Sequence, residues 1–337
     1  MENIDNYHGT GQNEALADFG GIIEKLRKRN GLTRRQLVRA DDPDYSNHIC
    51  SEKTLERIEK GETPLTVIHL GKFLEVLGIS YTEFFSEAEG PEAMSFLNGF
   101  GDVWDLMFEE RHDEAKKKMK SLMGKANLGK TLVKQAVMLY NCRARAEMDV
   151  GDTGCMEELH KALYLTSPRI TVKKNEIALA EVSMSRLSLN EYRILNIIAS
   201  LKERQGDTAG SIEVYEAVKA SLEDKALPSE IRNKMLPTVC YNLSDSLTNQ
   251  GEYYRATKIS EAGLLHGKTV GNFRMDGLLY YSLAKAQHFL GKLREAEENF
   301  RNSYISHKVQ GRKEMADKVK EFAAEKYNVY VESWGLC

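Results

Sequence analysis

"YYSLAKAQHFLGKLREAEENFRNS", Tyr280 to Ser303, reads as two amphipathic helices joined at one glycine. Tyr280, Leu283 and Ala284 precede Gly291, and Ala296 and Phe300 follow it, at helical rather than alternating spacing. A glycine between two such stripes supplies the left-handed residue that ends a helix. The same signature recurs upstream, in "NQGEYY" at Gly251, "RQGDTA" at Gly206 and "DVGDTG" at Gly151, with steps of 40, 45 and 55 residues. Seven positions before each glycine lies a small residue (Ala284, Ser244, Ala199, Ala144), where two helices must approach closely. Five positions after three of them lies another (Ala296, Ala256, Ser211), and Met156 breaks that rule. A lone hairpin cannot bury its apolar stripe, so a row of them predicts a stacked array with a continuous core.

The copy at Gly291 resembles the tetratricopeptide repeat, here with longer-than-standard spacing. A weaker copy starts near Phe96, with Ala115 and Met119 in its second helix, and Gly311 to Asn328 is expected to cap the stack. The resemblance implies a right-handed α-solenoid of about five hairpins over residues 89–337, with the first helix of each pair lining the concave side. In that geometry Asn141, Arg145, Met148 and Asp149 face the groove, as do Arg193, Asn196, Ser200, Glu203 and Arg204. Tyr241, Asp245, Thr248 and Asn249 follow, then Tyr281, Lys285, His288 and Phe289, with Asn242 one position along. Asparagine amides both donate and accept, so a ladder of them suits the backbone of an extended peptide, while Arg145, Arg193 and Lys285 suit a carboxylate.

Ahead of "SEAEGPEA" (Ser86 to Ala93), where Gly, Pro and acids break the pattern, the helical signals are short and close together. "FGGIIEKLRKRN", "LTRRQLVRA", "SEKTLERIEKGE", "PLTVIHLGKFLEVLG" and "SYTEFF" give five helices, with Thr33 and Ser51 as N-caps and Gly31 and Gly61 as stops. The expected order is a flexible tail over 1–15, a domain of short helices over 16–88 and the repeats over 89–337. "LTRRQL", "SEKTLERIEKGE" and "LGKFLEVLGIS" together resemble the Cro/repressor-type helix-turn-helix domain, in which the third helix enters the major groove. Leu55 and Ile58 anchor one side of that helix and leave Glu52, Lys53, Glu56 and Arg57 outside. Lys and Arg donate to guanine, and Glu accepts from cytosine. Glu52, Lys53 and Arg57 match the base-reading positions, and Thr33 and Arg34 the phosphate-holding ones. Arg35, Ser51, Thr54 and Lys60 complete the expected DNA-contacting set. Glu24 to Arg39 carries seven basic residues and one acid, partly offset by "DDPD" just beyond. "RADDPDYSNHIC" makes the link between the second and third helices longer than the family's tight turn.

Overall the charges nearly cancel, 47 Lys and Arg against 50 Asp and Glu, so any polyanion partner must be met locally. Five cysteines without a C-x-x-C pair argue against a disulfide framework and against zinc. They read as reduced, mostly buried thiols. No export signal or membrane span is expected, and neither is a cofactor or metal. "GKANLGKT" (Gly124 to Thr131) satisfies the phosphate-loop expression, but that chemistry needs a buried strand before the loop, and "DEAKKKMKSLM" is an amphipathic helix. It reads as a turn between repeats. No other enzyme motif is present.

A Cro-type domain followed by long-spaced tetratricopeptide hairpins resembles the peptide-pheromone receptor regulators of Gram-positive bacteria, the RRNPP family (Rap, Rgg, NprR, PlcR, PrgX). "LSLNEYRILNIIASLKERQGD" (Leu187 to Asp207) is similar to that family's repeat in which an asparagine touches the peptide. The resemblance implies a cytoplasmic homodimer without catalytic activity that binds a near-palindromic operator in double-stranded DNA. A short signalling peptide would enter the groove, in the manner of quorum sensing. The alternative is a helix-turn-helix regulator whose repeats bind a partner protein.

Overall fold

In the computed structural model the chain is described over residues 11–39, 48–79, 84, 90–148, 153–167, 170, 172–173, 176–224 and 227–330. It is all-α, a helix-turn-helix domain followed by tetratricopeptide-like hairpins. Two compact units divide it, Met1–Asp102 with Lys116–Val133, and Val103–Ala115 with Lys134–Cys337.

The first unit opens with α1 (Gly11–Arg29), α2 (Arg34–Leu37), α3 (Glu52–Glu59) and α4 (Val67–Leu77). Helix α1 starts at Gly11, inside the segment 1–15 expected to be a tail. Thr33 caps α2, accepting from the Gln36 N–H, and the Gln36 side chain accepts in turn from the Thr33 N–H. Ser51 caps α3 and Thr66 caps α4 in the same way, by accepting from the Thr54 and His69 N–H groups. Ile23, Leu26, Leu37, Val38, Leu55, Ile58 and Phe73 are fully buried together, and Phe84 joins them from the expected fifth helix, most of which lies outside the described residues. At Gly20 any side chain would collide with the Ile58 carbonyl, so α1 lies against the backbone of α3 there. The long link between α2 and α3 falls largely on residues 40–47, outside the described residues.

Helices α5 (Pro91–Phe108), α6 (His112–Met123) and α7 (Thr131–Met148) follow, and "GKANLGKT" is the turn between α6 and α7. After α8 (Thr153–Tyr164) comes a minimal antiparallel pair, β1 (Val172–Lys173) with β2 (Glu176–Ile177), and then the short α9 (Leu179–Ser183). The repeats proper are α10 (Leu189–Arg204) with α11 (Thr208–Leu222), α12 (Ser229–Asn249) with α13 (Tyr253–Val270), and α14 (Asp276–Phe289) with α15 (Leu293–Val309). Helix α16 (Lys313–Tyr327) closes the series. Gly206, Gly251 and Gly291 have φ of 87°, 86° and 75°, in the left-handed region a side chain resists. Gly151 lies outside the described residues.

The small residues flanking those turns are the close-approach points. Ala199, Ser211, Ser244, Ala256, Ala284 and Ala296 are all fully buried. Ser244 ties three helices together: its hydroxyl donates to the Ala256 carbonyl at 2.9 Å, lies 2.7 Å from Ser260, and accepts from Ser282 at 2.8 Å. A larger residue here would force the helices apart and leave the partner hydroxyls unpaired. Helix α16 packs Ala323 against Phe300, and Tyr327 lies 4.9 Å from the Phe300 ring. Cys142, Cys155 and Cys240 are buried free thiols, and Cys50 is half-buried. Among the described residues no helix is long and apolar enough to cross a membrane.

His307 gives the repeats a pH dependence. It is fully buried on α15 against Gly277, where a Cβ would lie 2.6 Å from its Nε2, and neither ring nitrogen is hydrogen-bonded. Burial, with Arg312 adding to it, pushes the imidazole down to about 4 from 6.5. A depressed pKa means stability that is present above the unfolded value and lost as pH falls through the folded one. The loss from this group reaches about 3 kcal/mol by pH 4. Asp276, whose carboxyl burial pushes up to about 6, works in the opposite sense over the same range. Urea unfolding of wild type and His307→Leu at pH 7 and pH 4 isolates the histidine. The variant should be relatively more acid-resistant by that margin.

Candidate DNA-reading surface and ligand groove

Helix α3 presents Glu52, Lys53 and Arg57 to solvent while Leu55 and Ile58 are buried beneath it. Among the described residues Lys53 has no ion-pair partner, and Arg57 has only a loose one, Glu62 at 3.8 Å between two half-exposed side chains. Such a pair is worth little. Lys60 is exposed and lies 2.6 Å from Glu56. Thr54 is half-buried, its hydroxyl 2.8 Å from that of Ser51.

The residues on α2 divide. Arg35 is exposed, and Thr33 is exposed but engaged in capping. Arg34 donates through Nε to Glu59 at 2.7 Å, and that hydrogen bond holds its guanidinium pKa above the usual value. Glu59 also takes two hydrogen bonds from Arg27, at 2.7 and 3.2 Å. Arg34 therefore positions α2 against α3 as well as facing outward. The sequence offered Glu59 only as one more acid in a polar helix.

Within the second unit a cavity of about 1450 Å³ opens between the repeats. Asn196 and Ser200 on α10 and Tyr241, Asn242 and Asp245 on α12 line it, with Glu203 and Arg204 beside them. Asn242 donates to the Asn196 side-chain carbonyl at 2.8 Å, leaving the far edges of both amides for a ligand. Two wall atoms, Arg274 Nη2 and Glu203 Oε2, are buried with no hydrogen-bond partner, which is costly if nothing arrives to pair them.

The other expected groove residues lie elsewhere. Asn141 is exposed and outside the lining. Arg145 is held in its own hairpin by Glu158 at 2.9 Å and Cys155 at 3.3 Å. Arg193 is buried, 4.6 Å above the Trp104 ring and hydrogen-bonded to Asn190, and desolvation pushes its guanidinium down to about 9. Lys285 pairs with Asp245 at 2.5 Å and so orients a wall residue from behind. Tyr281 packs on Phe300, and His288 on Phe289 and Tyr327, beyond the cavity.

Other lining residues come from distant segments. Trp104 and Phe108 project from α5, and Arg274 and Arg312 lie 4.3 and 4.7 Å over the Phe108 ring. Arg274 also pairs with Asp105 at 2.5 Å. Such guanidinium–aromatic contacts are attractive. They build a rigid, partly apolar end wall. Among the described residues no cluster of His, Cys, Asp and Glu is placed to hold a metal ion.

Comparison with known proteins gives three results. Residues 169–327 match the family model of the RNPP family C-terminal domain. No curated protein matches the chain. Among solved structures the fold is similar to PlcR of Bacillus thuringiensis in complex with the peptide PapR7 and DNA, at a TM-score of 0.54 and 18% identity over 90% of this chain and 99% of that one. It is similar too to the competence regulator ComR of Streptococcus vestibularis in complex with its cognate signaling peptide XIP, at 0.52 and 14%, over 92% and 98%. The apo form of PlcR gives 0.52 and 17%, over 90% and 98%. At these identities the likeness is one of fold.

Proposed function

We propose, on the premise that residues 169–327 belong to the RNPP family C-terminal domain, that this chain is a peptide-responsive DNA-binding transcriptional regulator without catalytic activity. The helix-turn-helix of a cytoplasmic homodimer reads a near-palindromic operator through Glu52, Lys53 and Arg57. A short signalling peptide enters the groove and shifts the equilibrium between arrangements of the two reading heads. It does so only through unequal affinity for them.

The observation that carries the peptide reading is the groove itself. Its volume of about 1450 Å³ exceeds the 300 to 1,000 Å³ usual for small ligands. Its floor is an amide pair with open edges rather than a pocket of one shape. Buried Arg274 and Glu203 atoms lacking partners supply a donor and an acceptor for a zwitterionic chain.

Calorimetry with short synthetic peptides, encoded by the small reading frames that flank the gene, tests this. At least one should bind, and Asn196→Ala should weaken it roughly tenfold to hundredfold by leaving Asn242 and the peptide amide unpaired. Absence of heat from every such peptide, or binding indifferent to Asn196→Ala, would overturn the groove assignment.

A further inference from the structure

From Ala115 to Ala146 the chain carries nine basic residues, seven lysines and two arginines, and no acid, although its net charge is −3. Lys116, Lys117 and Lys120 on α6, and Lys125 in the turn after it, are exposed, and Lys130 at the end of that turn is half-buried. Within this run of lysines Lys118 has an acidic partner, Asp102 at 2.6 Å. Among the described residues the other five have none.

Several lysines on other helices are balanced by an acid on the same helix. Lys60 pairs with Glu56, Lys219 with Glu223, Lys234 with Glu230 and Lys258 with Glu261, all three or four positions apart. On α6 Asp113 and Glu114 stand three or four before Lys116 and Lys117, yet among the described residues no ion pair joins them, and Lys116 and Lys117 in turn stand four and three before a like charge, Lys120. Lys130 adjoins the N-terminus of α7, whose first turn contains no acid, so its charge opposes the helix dipole. An anion from outside would offset the mutual repulsion of these lysines.

The loop does not cradle a nucleotide. Asn127 already takes the Gly129 N–H on its side chain at 2.9 Å and the Lys130 N–H on its carbonyl at 3.1 Å, and α6 rather than a strand precedes the turn. What remains is a concentration of long cationic side chains on one helix and the turn after it, a form that suits a polyanion. A DNA duplex carries one phosphate per about 1.7 Å of axis. These five lysines belong to the same compact unit as α3.

We infer that Lys116, Lys117, Lys120, Lys125 and Lys130 form a second DNA surface that holds the phosphate backbone of the duplex whose bases α3 reads. This rests on the DNA-binding reading above. It adds affinity without sequence preference, because phosphate contacts carry no base information.

The full-length protein with all five lysines replaced by glutamine, which keeps helix propensity, tests it by fluorescence anisotropy against a preferred and an unrelated duplex over a salt series. Each lost phosphate contact removes about 0.9 from the slope of log K against log salt. The slope should fall by roughly 4 to 5, both affinities should drop together by at least tenfold at low salt, and their ratio should hold. An unchanged slope, while Lys53→Ala with Arg57→Ala still abolishes specificity, would sink this surface and spare the regulator reading. Wild-type protein that binds no duplex at all would end both. Loss of binding to phosphatidylserine vesicles with DNA binding intact would assign the lysines to a membrane instead.

Discussion

Alanine at both Lys53 and Arg57 is expected to remove sequence-specific DNA binding and to leave the helix content and thermal unfolding of the protein where they were. Both side chains are exposed on α3, and the helix is held from beneath by Leu55 and Ile58, each fully buried, so the packing does not register the change. A good Lys or Arg contact to guanine is worth about 1 to 3 kcal/mol of discrimination. Two together predict a loss of roughly 30-fold to 10⁴-fold in affinity for the preferred duplex. Affinity for an unrelated duplex should fall far less, since phosphate contacts dominate there. The preferred duplex is obtained by selection from a randomised pool with wild-type protein, and both variants are then compared in matched salt. Equal affinity of wild type and variant for the selected duplex would remove α3 from the DNA interface.

The residues that made this surface and the groove readable are those whose role is set locally. Leu55 and Ile58 lie three apart on a helix bounded by Ser51 and Gly61, so the outward face followed from the inward one. Ser244 and Ala284 lie at a fixed distance from their turn glycines, and close helix approach admits only small side chains there. Asn196, Tyr241 and Asp245 fell into the groove for the same reason, as positions counted from a turn. What stayed hidden depends on residues distant in sequence. Nothing around Trp104 or Phe108 announces that Arg274 and Arg312 will stack there to form the end wall. Arg145 and Lys285 read as carboxylate ligands until Glu158 and Asp245, on other helices, are seen to hold them. Charge type is legible in a sequence, but charge pairing across helices is not. The unpaired lysines of α6 are the converse case, a run that stands out only once the pairing of the others is known.

That dependence on pairing also fixes the largest effect expected on stability, at Glu59. Its side chain is 1% exposed and receives two hydrogen bonds from Arg27, itself buried, and one from Arg34. Removing the carboxylate with Glu59→Ala leaves the Arg27 guanidinium inside the unit without its counter-charge. Breaking a buried pair in this way costs about 3 to 5 kcal/mol, a large part of the 5 to 15 kcal/mol that holds a typical domain together. The same principle makes the double replacement Arg27→Met with Glu59→Leu far milder, because two desolvation costs disappear with the attraction they oppose. Arg34 loses Glu59 in both variants but keeps Glu24 at 3.8 Å and, one-third exposed, can turn to water. Hydrogen exchange of the full-length protein, followed at the amides of α1 and α3, separates this unit from the repeats. In Glu59→Ala protection there should fall by roughly 10² to 10⁴-fold, with the amides of α10 to α15 unchanged, and the double variant should recover most of it. If the single and double variants lose protection equally, the carboxylate matters for its volume and not for its charge, and the ion pair is not what fixes α3 against α1.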